Sequence, residues 1–90
     1  MPKFMHIRHM QEGVVSGKGG CTVAYSEITK GNFVYAIAHC HPHDNYNKAL
    51  GRAKAAGRLK SKKDYLVADA PDVRTFLNGL RDEYYASIGM

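Results

Sequence analysis

The sequence predicts an α+β domain in which a small antiparallel sheet packs against two helices. In the first half of the chain, apolar and polar residues alternate as they do in half-buried strands. In 45–59 and 73–88, apolar residues recur every three or four positions, which indicates amphipathic helices. A short apolar run at 65–68 separates those two segments. The element order is therefore β-β-β-α-β-α within a single domain, 1–90, and both helices are expected on one face of the sheet.

Three strands are predicted before the first helix, at 4–10, 21–28 and 33–41. The glycine-rich stretch 17–20 is a loop between the first two strands. The stretch 29–32 is typical of a hairpin turn between the second and third. The strand at 33–41 is the clearest, because it is rich in β-branched and aromatic residues.

The predicted turn also predicts which side chains share a face of the sheet. If 29–32 forms the whole loop, Cys21 pairs near Cys40. One face then carries mostly small side chains, and a helix with small residues can approach it closely: Cys21, Val23, Tyr25, Val34, Ala36, Ala38 and Cys40. The opposite face must be covered by the C-terminal helix, a second subunit or a ligand, and it carries Phe33, Tyr35, Ile37, His39 and His41.

The first helix is expected to begin after Pro42, which ends the third strand because proline cannot donate to a ladder. Asp44 or Asn45 is expected to cap a helix that runs to about Leu59. Its apolar side is predicted to consist of Tyr46, Ala49, Leu50, Ala53, Ala56 and Gly57. Pro71 fits the first turn of the second helix, whose apolar residues are Val73, Phe76, Leu77, Leu80, Tyr84 and Ile88.

Positive charge is concentrated in one segment of the chain. The formal net charge is +5, and seven Lys or Arg without any acid lie between Lys48 and Lys63. A basic surface of this kind favours nucleic acid, an anionic membrane or an acidic protein face as its partner. The apolar runs are far shorter than the roughly 20 residues that span a bilayer. The N-terminus has no apolar signal-peptide core. We therefore expect a cytoplasmic protein with reduced cysteines and no membrane partner.

The basic helix is the strongest candidate site, because Lys and Arg neutralise phosphates and release counterions. The candidate contacts are Lys48, Arg52, Lys54, Arg58, Lys62 and Lys63, with Lys18 of the glycine-rich loop at the rim. The alternative is a solvated basic face that keeps the domain soluble. Phe33 and Tyr35 on an open sheet face would stack bases. Equally, they would form the core beneath the C-terminal helix.

The His/Cys-rich strand end is a second candidate, for metal or for catalysis. His39 and His41 project to one face and His43 follows, which makes these three the metal candidates. Cys40 and His41 are adjacent and point to opposite faces, which disfavours both a shared metal and a thiolate–imidazole pair. Asp44 beside His41 is better explained as a helix cap. We therefore predict no catalytic residue, no metal and no cofactor, and no enzyme.

Three blocks of the sequence, at 19–25, 38–48 and 51–59, resemble small proteins encoded by bacteriophages. Such proteins are often accessory or host-takeover factors, including anti-CRISPR and other anti-defence inhibitors. The resemblance implies stoichiometric binding, not turnover, in the cytoplasm of a host. Many inhibitors of nucleic-acid machines are acidic DNA mimics, whereas this chain is basic. An inhibitor of this kind would occupy an acidic protein surface or bind the nucleic acid itself.

The leading hypothesis is a small basic phage-type accessory protein that binds nucleic acid or a host nucleoprotein defence complex. Two alternatives stay open. One is a metal- or ligand-binding module centred on His39, His41 and His43. The other is an oligomeric structural protein that buries its Phe33, Tyr35 and Ile37 face against a second copy.

Overall fold

A computed structural model describes residues 2–11, 13–41, 44–61 and 65–87 of the chain. In chain order, its strands are β1 (Lys3–Ile7), β2 (Met10–Gln11), β3 (Val14–Val15), β4 (Cys21–Thr29) and β5 (Asn32–His39). Helix α1 (Lys48–Ser61), strand β6 (Leu66–Asp69) and helix α2 (Val73–Ser87) follow. Strands β1, β4, β5 and β6 form one antiparallel sheet in the order β1-β4-β5-β6. The predicted α+β class is confirmed.

The small hairpin of β2 and β3 was not predicted from the sequence. The predicted first strand, 4–10, is divided, because β1 ends at Ile7 and Met10 pairs within the hairpin. The third predicted strand ends at His39 instead of residue 41. Within the described ranges, neither helix has the length and apolar character needed to cross a membrane.

The turn between β4 and β5 contains a bulge that shifts the predicted register by one residue. The turn has two central residues, of which Gly31 has a φ of 85°, and Ile28 then has no partner in β5. As a result, Cys21 lies opposite His39, and its predicted pairing near Cys40 is wrong. The sequence does not fix this register, because residues 33–38 are apolar at every position and therefore fit either pairing.

This shift changes which residues of β4 and β5 share a face, because side chains alternate along a strand. The face with the larger side chains includes Met5, Ile7, Cys21, Val23, Tyr25 and Phe33. On the other face, β4 and β5 supply small residues, including Thr22, Ala24, Ala36 and Ala38, and Phe4 of β1 packs beside them. A face of small side chains therefore exists as predicted, but Thr22 and Ala24 supply the β4 part of it.

The two helices lie on opposite faces of the sheet, so the expectation that both share one face is wrong. Helix α2 buries Phe76 and Leu80 against the larger side chains. Helix α1 buries Ala55 against Ala24 and Ala38. Both faces of this sheet carry apolar side chains, so each must pack against another element to be removed from water. The face that carries Phe33 is covered by the C-terminal helix, which was one of the three predicted covers.

Helix α1 begins at Lys48, because its cap is Asn47 and not Asp44 or Asn45. The Asn47 side-chain oxygen accepts the backbone N–H of Leu50 at 3.0 Å. Asp44 is held elsewhere, since its carbonyl oxygen accepts the N–H of Gly19 at 3.2 Å. The residues that were expected to cap the helix therefore connect its start to the glycine-rich loop.

Helix α2 begins after Asp72, whose carboxylate accepts the N–H of Thr75 at 2.7 Å. Pro71 therefore precedes the cap and lies outside the first turn in which it was expected. Pro42 was predicted to end the third strand, and Ile88 was predicted to belong to this helix. Both lie outside the described residues.

Candidate nucleic-acid interface

Helix α1 is rotated relative to the prediction, and this rotation decides where its cations lie. Gly51, Ala55 and Leu59 face the sheet at a spacing of four residues, and Ala55 is fully buried. A Cβ at Gly51 would overlap the side chain of Thr22, so the helix backbone lies very close to the sheet there. Four residues of the predicted apolar side are exposed instead: Ala49, Leu50, Ala53 and Gly57.

The basic residues of α1 lie in two rows on opposite sides of the helix. Toward β1, Lys48 and Arg52 are close enough to His6 for their charges to act on its imidazole. Toward β5, the Arg58 guanidinium donates a hydrogen bond to the carbonyl oxygen of Ile37 at 2.6 Å. Lys54 lies on the same side, at the wall of a cavity of about 90 Å³. The four basic side chains are exposed, as is Lys60 near the end of the helix.

Small residues form the outer ridge of α1 between the two rows. Ala49, Ala53 and Gly57 recur every four residues, which places them on one line along the helix, and all three are exposed. A Cβ at Gly57 would meet no atom within 4 Å. A partner can therefore approach the helix backbone closely at Ala53 and Gly57, while the exposed Leu50 adds a larger apolar side chain near the start of the helix. We call Lys48, Arg52, Lys54 and Arg58 with this ridge the α1 surface.

Lys18 lies beside the start of α1, because its loop is bonded to the segment that precedes the helix. The N–H of Tyr46 donates to the carbonyl oxygen of Gly17 at 2.8 Å. The backbones of Lys18 and Asn45 pair as an isolated antiparallel β-bridge. The Lys18 side chain is exposed. The last two predicted contacts, Lys62 and Lys63, lie outside the described residues.

A polar network beneath the start of α1 was missed from the sequence. The Tyr46 hydroxyl lies 2.7 Å from Nδ1 of His6, 3.0 Å from Oγ1 of Thr22 and 3.1 Å from the carbonyl oxygen of Cys21. Oγ1 of Thr22 also lies 3.1 Å from Nδ1 of His6. Since His6 and Tyr46 are 40 residues apart, no local pattern connects them.

The electrostatic environment of this network is positive. Burial lowers the pKa of His6, and the charges of Lys48, Arg52 and Arg8 lower it further. The Arg8 guanidinium lies over the Tyr46 ring, 4.6 Å from its centre. The pKa of Tyr46 is raised, mainly by burial, so the hydroxyl keeps its proton. The positive surface of α1 therefore continues onto the end of β1.

The two aromatic residues predicted to stack bases form part of the core. Phe33 is 0% exposed, and its ring lies parallel to that of Phe76 with centres 4.4 Å apart. The half-buried Tyr35 meets the same ring edge-on at 5.3 Å. The stacking role is therefore wrong for Phe33, because α2 covers this face. The same packing covers the surface through which a second copy was predicted to bind.

His39 and Cys40, at the end of β5, have different partners. His39 stacks on Tyr84 of α2, while the Cys40 sulfur lies 3.5 Å from the carbonyl oxygen of Asp44. In the part of the chain that the structure describes, no three His, Cys, Asp or Glu residues are grouped to hold a metal. That part does not include His43. Cys21 is buried, and burial raises its pKa to about 12.

Comparison of the chain with protein-family models, with curated proteins and with solved structures finds no match. The resemblance to phage-encoded proteins and the expected absence of enzymatic activity stay predictions.

Proposed function

We propose that the protein binds double-stranded DNA stoichiometrically through the α1 surface. The observation that carries this proposal is the arrangement of Lys48 and Arg52 on one side of a small-residue ridge and Lys54 and Arg58 on the other. A helix with cations along both sides can contact the phosphates of two strands at once. The small residues between them allow the helix to enter a groove.

The dimensions of the helix favour a B-form duplex. The major groove of B-DNA is about 12 Å wide and admits an α-helix. The major groove of A-form RNA is deep and narrow, and side chains do not read it. Helix α1 has 14 residues, so it is about 21 Å long and spans several base pairs.

Two further features support a duplex over a single strand. Proteins that bind single strands stack bases on exposed aromatic rings, and Phe33 and Tyr35 pack against Phe76 instead. The charge is also one-sided, because α1 has five basic residues and no acid. Helix α2, on the other face of the sheet, balances Arg74 and Arg81 against Asp82 and Glu83. A one-sided field orients the α1 surface toward a polyanion.

The test compares two double variants that remove the same charge from opposite faces. Arg52→Ala with Arg58→Ala changes the α1 surface, and Arg74→Ala with Arg81→Ala changes α2. Affinity for a duplex is measured by fluorescence anisotropy between about 50 and 200 mM salt. We expect the first variant to bind at least about tenfold more weakly, with a salt slope reduced by about 0.9 for each phosphate that the variant no longer neutralises. The second variant should bind as the wild type does.

Arg58 also bonds the backbone of β5, so a third variant separates binding from folding. Arg52→Ala with Lys54→Ala removes one cation from each row and keeps that bond. A similar loss of affinity is expected. Absence of wild-type binding, or equal affinities for all variants, would overturn the proposal. Competition with duplex RNA and single-stranded DNA should show weaker binding of both.

Under the phage-type hypothesis, the bound DNA is part of a host nucleoprotein complex. A pull-down from bacterial extract with and without nuclease distinguishes the two kinds of contact. Loss of the captured complex after nuclease treatment supports binding through nucleic acid. Capture that resists nuclease indicates a contact with a protein surface and would contradict the proposed target.

A further inference from the structure

An unusual arginine lies next to the α1 surface, at the end of β1. One terminal nitrogen of Arg8 donates to the carbonyl oxygen of Ser16 at 3.2 Å. Its Nε is buried and has no hydrogen-bond partner among the described residues. Because this nitrogen is enclosed by protein atoms, a bound anion can reach the guanidinium only at its terminal nitrogens. The guanidinium is held in place by the Tyr46 ring beneath it.

Three basic side chains are close enough to the half-buried His6 for their charges to act on its ring. The charges that act on His6 come from Lys48 and Arg52 of α1 and from Arg8, and all are positive. Two neutral hydroxyl groups of the described residues, those of Thr22 and Tyr46, lie within hydrogen-bond distance of its ring. Among the described residues, no carboxylate acts on this histidine, and a bound anion would relieve the repulsion between the three cations.

We infer that Arg8, Lys48 and Arg52 together form a binding site for a single phosphate group. The inference rests on the proposed function, because the ligand is then one phosphodiester of the duplex that lies along the β1 side of α1. The Arg8 guanidinium is suited to this ligand, since its planar fork matches phosphate oxygens. Lys48 contributes a point charge at the first turn of the helix, where the backbone dipole also favours an anion.

The pKa of His6 provides a measurable signal of whether this site is occupied. In the free protein, burial and then the charges of the three cations keep its pKa low. A phosphate beside them offsets their charge, so the pKa of His6 rises when the site is filled. By linkage, phosphate then binds more tightly as the pH falls through the range in which His6 gains its proton.

The experiment follows the ring protons of the five histidines by NMR during pH titrations. The His6 signal is assigned with His6→Gln. Titrations are run on the free protein, with inorganic phosphate and with a DNA duplex. We expect both ligands to raise the pKa of His6, and we expect neither to perturb the ring signals of His39, which stacks on Tyr84 of α2. Arg8→Gln should abolish the response, whereas the matched Arg81→Gln on α2 should retain it.

Arg8→Lys is a control for a folding defect in Arg8→Gln, because it keeps the positive charge but lacks the planar guanidinium. It should show a weakened phosphate response with an unchanged circular dichroism spectrum. The salt slope of duplex binding should fall by about 0.9 in Arg8→Gln, because one phosphate fewer is neutralised.

The outcomes separate this site from the proposed function. Duplex binding with an unmoved His6 signal and an unchanged salt slope in the Arg8 variants would overturn the site and leave the function standing. A response to inorganic phosphate that depends on Arg8, in a protein that binds no duplex, would support the site and overturn the function.

Discussion

Gly51 of α1 lies directly over Thr22 of β4, so closely that a Cβ at position 51 would overlap the threonine side chain. Thr22 is fully buried, and its hydroxyl lies 3.0 Å from that of Tyr46. This contact sets the rotation of α1 on the sheet. It thereby sets which of its cations lie toward β1 and which toward β5.

Replacing Gly51 with alanine should destabilise the protein, although alanine favours a helix. The added methyl group overpacks the contact with Thr22, which typically costs about 1–3 kcal/mol. Gly57→Ala is the matched control, because its Cβ would meet no atom within 4 Å. It should stabilise the helix by up to about 1 kcal/mol. Urea denaturation of both variants measures the difference, and equal stabilisation by the two would contradict the close approach.

Removing the hydroxyl of Tyr46 should weaken the connection between α1 and the sheet. In Tyr46→Phe, Nδ1 of His6 and Oγ1 of Thr22 each lose a buried partner, as does the carbonyl oxygen of Cys21. We expect a loss of about 1–3 kcal/mol in the free energy of unfolding. Tyr65→Phe removes the same atom from a residue that is 41% exposed, and it should have little effect. Similar losses in both variants would indicate that the network contributes nothing specific.

The two cysteines should differ in reactivity toward a thiol reagent. Because burial raises the pKa of Cys21 to about 12, about one Cys21 thiol in ten thousand is ionised at about pH 8. Cys40 is only partly buried. In the folded protein, one thiol should therefore react readily and the other only on unfolding. Cys40→Ser should remove the fast phase, and a fast phase that persists in this variant would refute the assignment.

The start of α2 should depend on pH through Asp72. The hydrogen bonds from Thr75 hold the pKa of this carboxyl below its ordinary value of 3.8. Its stabilising contribution is therefore fully present above that value, and it is lost as the pH falls through the lowered pKa. The urea midpoint of the wild type should exceed that of Asp72→Ala at about pH 6, and the difference should shrink toward about pH 2. Asp72→Asn keeps a neutral cap, so its advantage over Asp72→Ala should not vary with pH.

The candidate site was only partly predictable from the sequence. The cluster of basic residues between Lys48 and Lys63 is evident from composition alone. Its division into two rows is not, because the predicted apolar side of the helix included Ala49 and Ala53, which are exposed. Alanine and glycine fit either side of a helix. A helix this rich in them therefore has a weak apolar stripe, and its rotation is decided by the sheet.

The sequence by itself determined the class of the fold, the position of each helix, the loop at 17–20 and the concentration of charge in α1. These follow from local periodicity and composition, which act over a few residues. Only the tertiary structure decided the bulge at Ile28, the placement of the helices on opposite faces and the meeting of Arg8 and His6 with Tyr46. These depend on which distant side chains pack best together, and no local pattern encodes that choice.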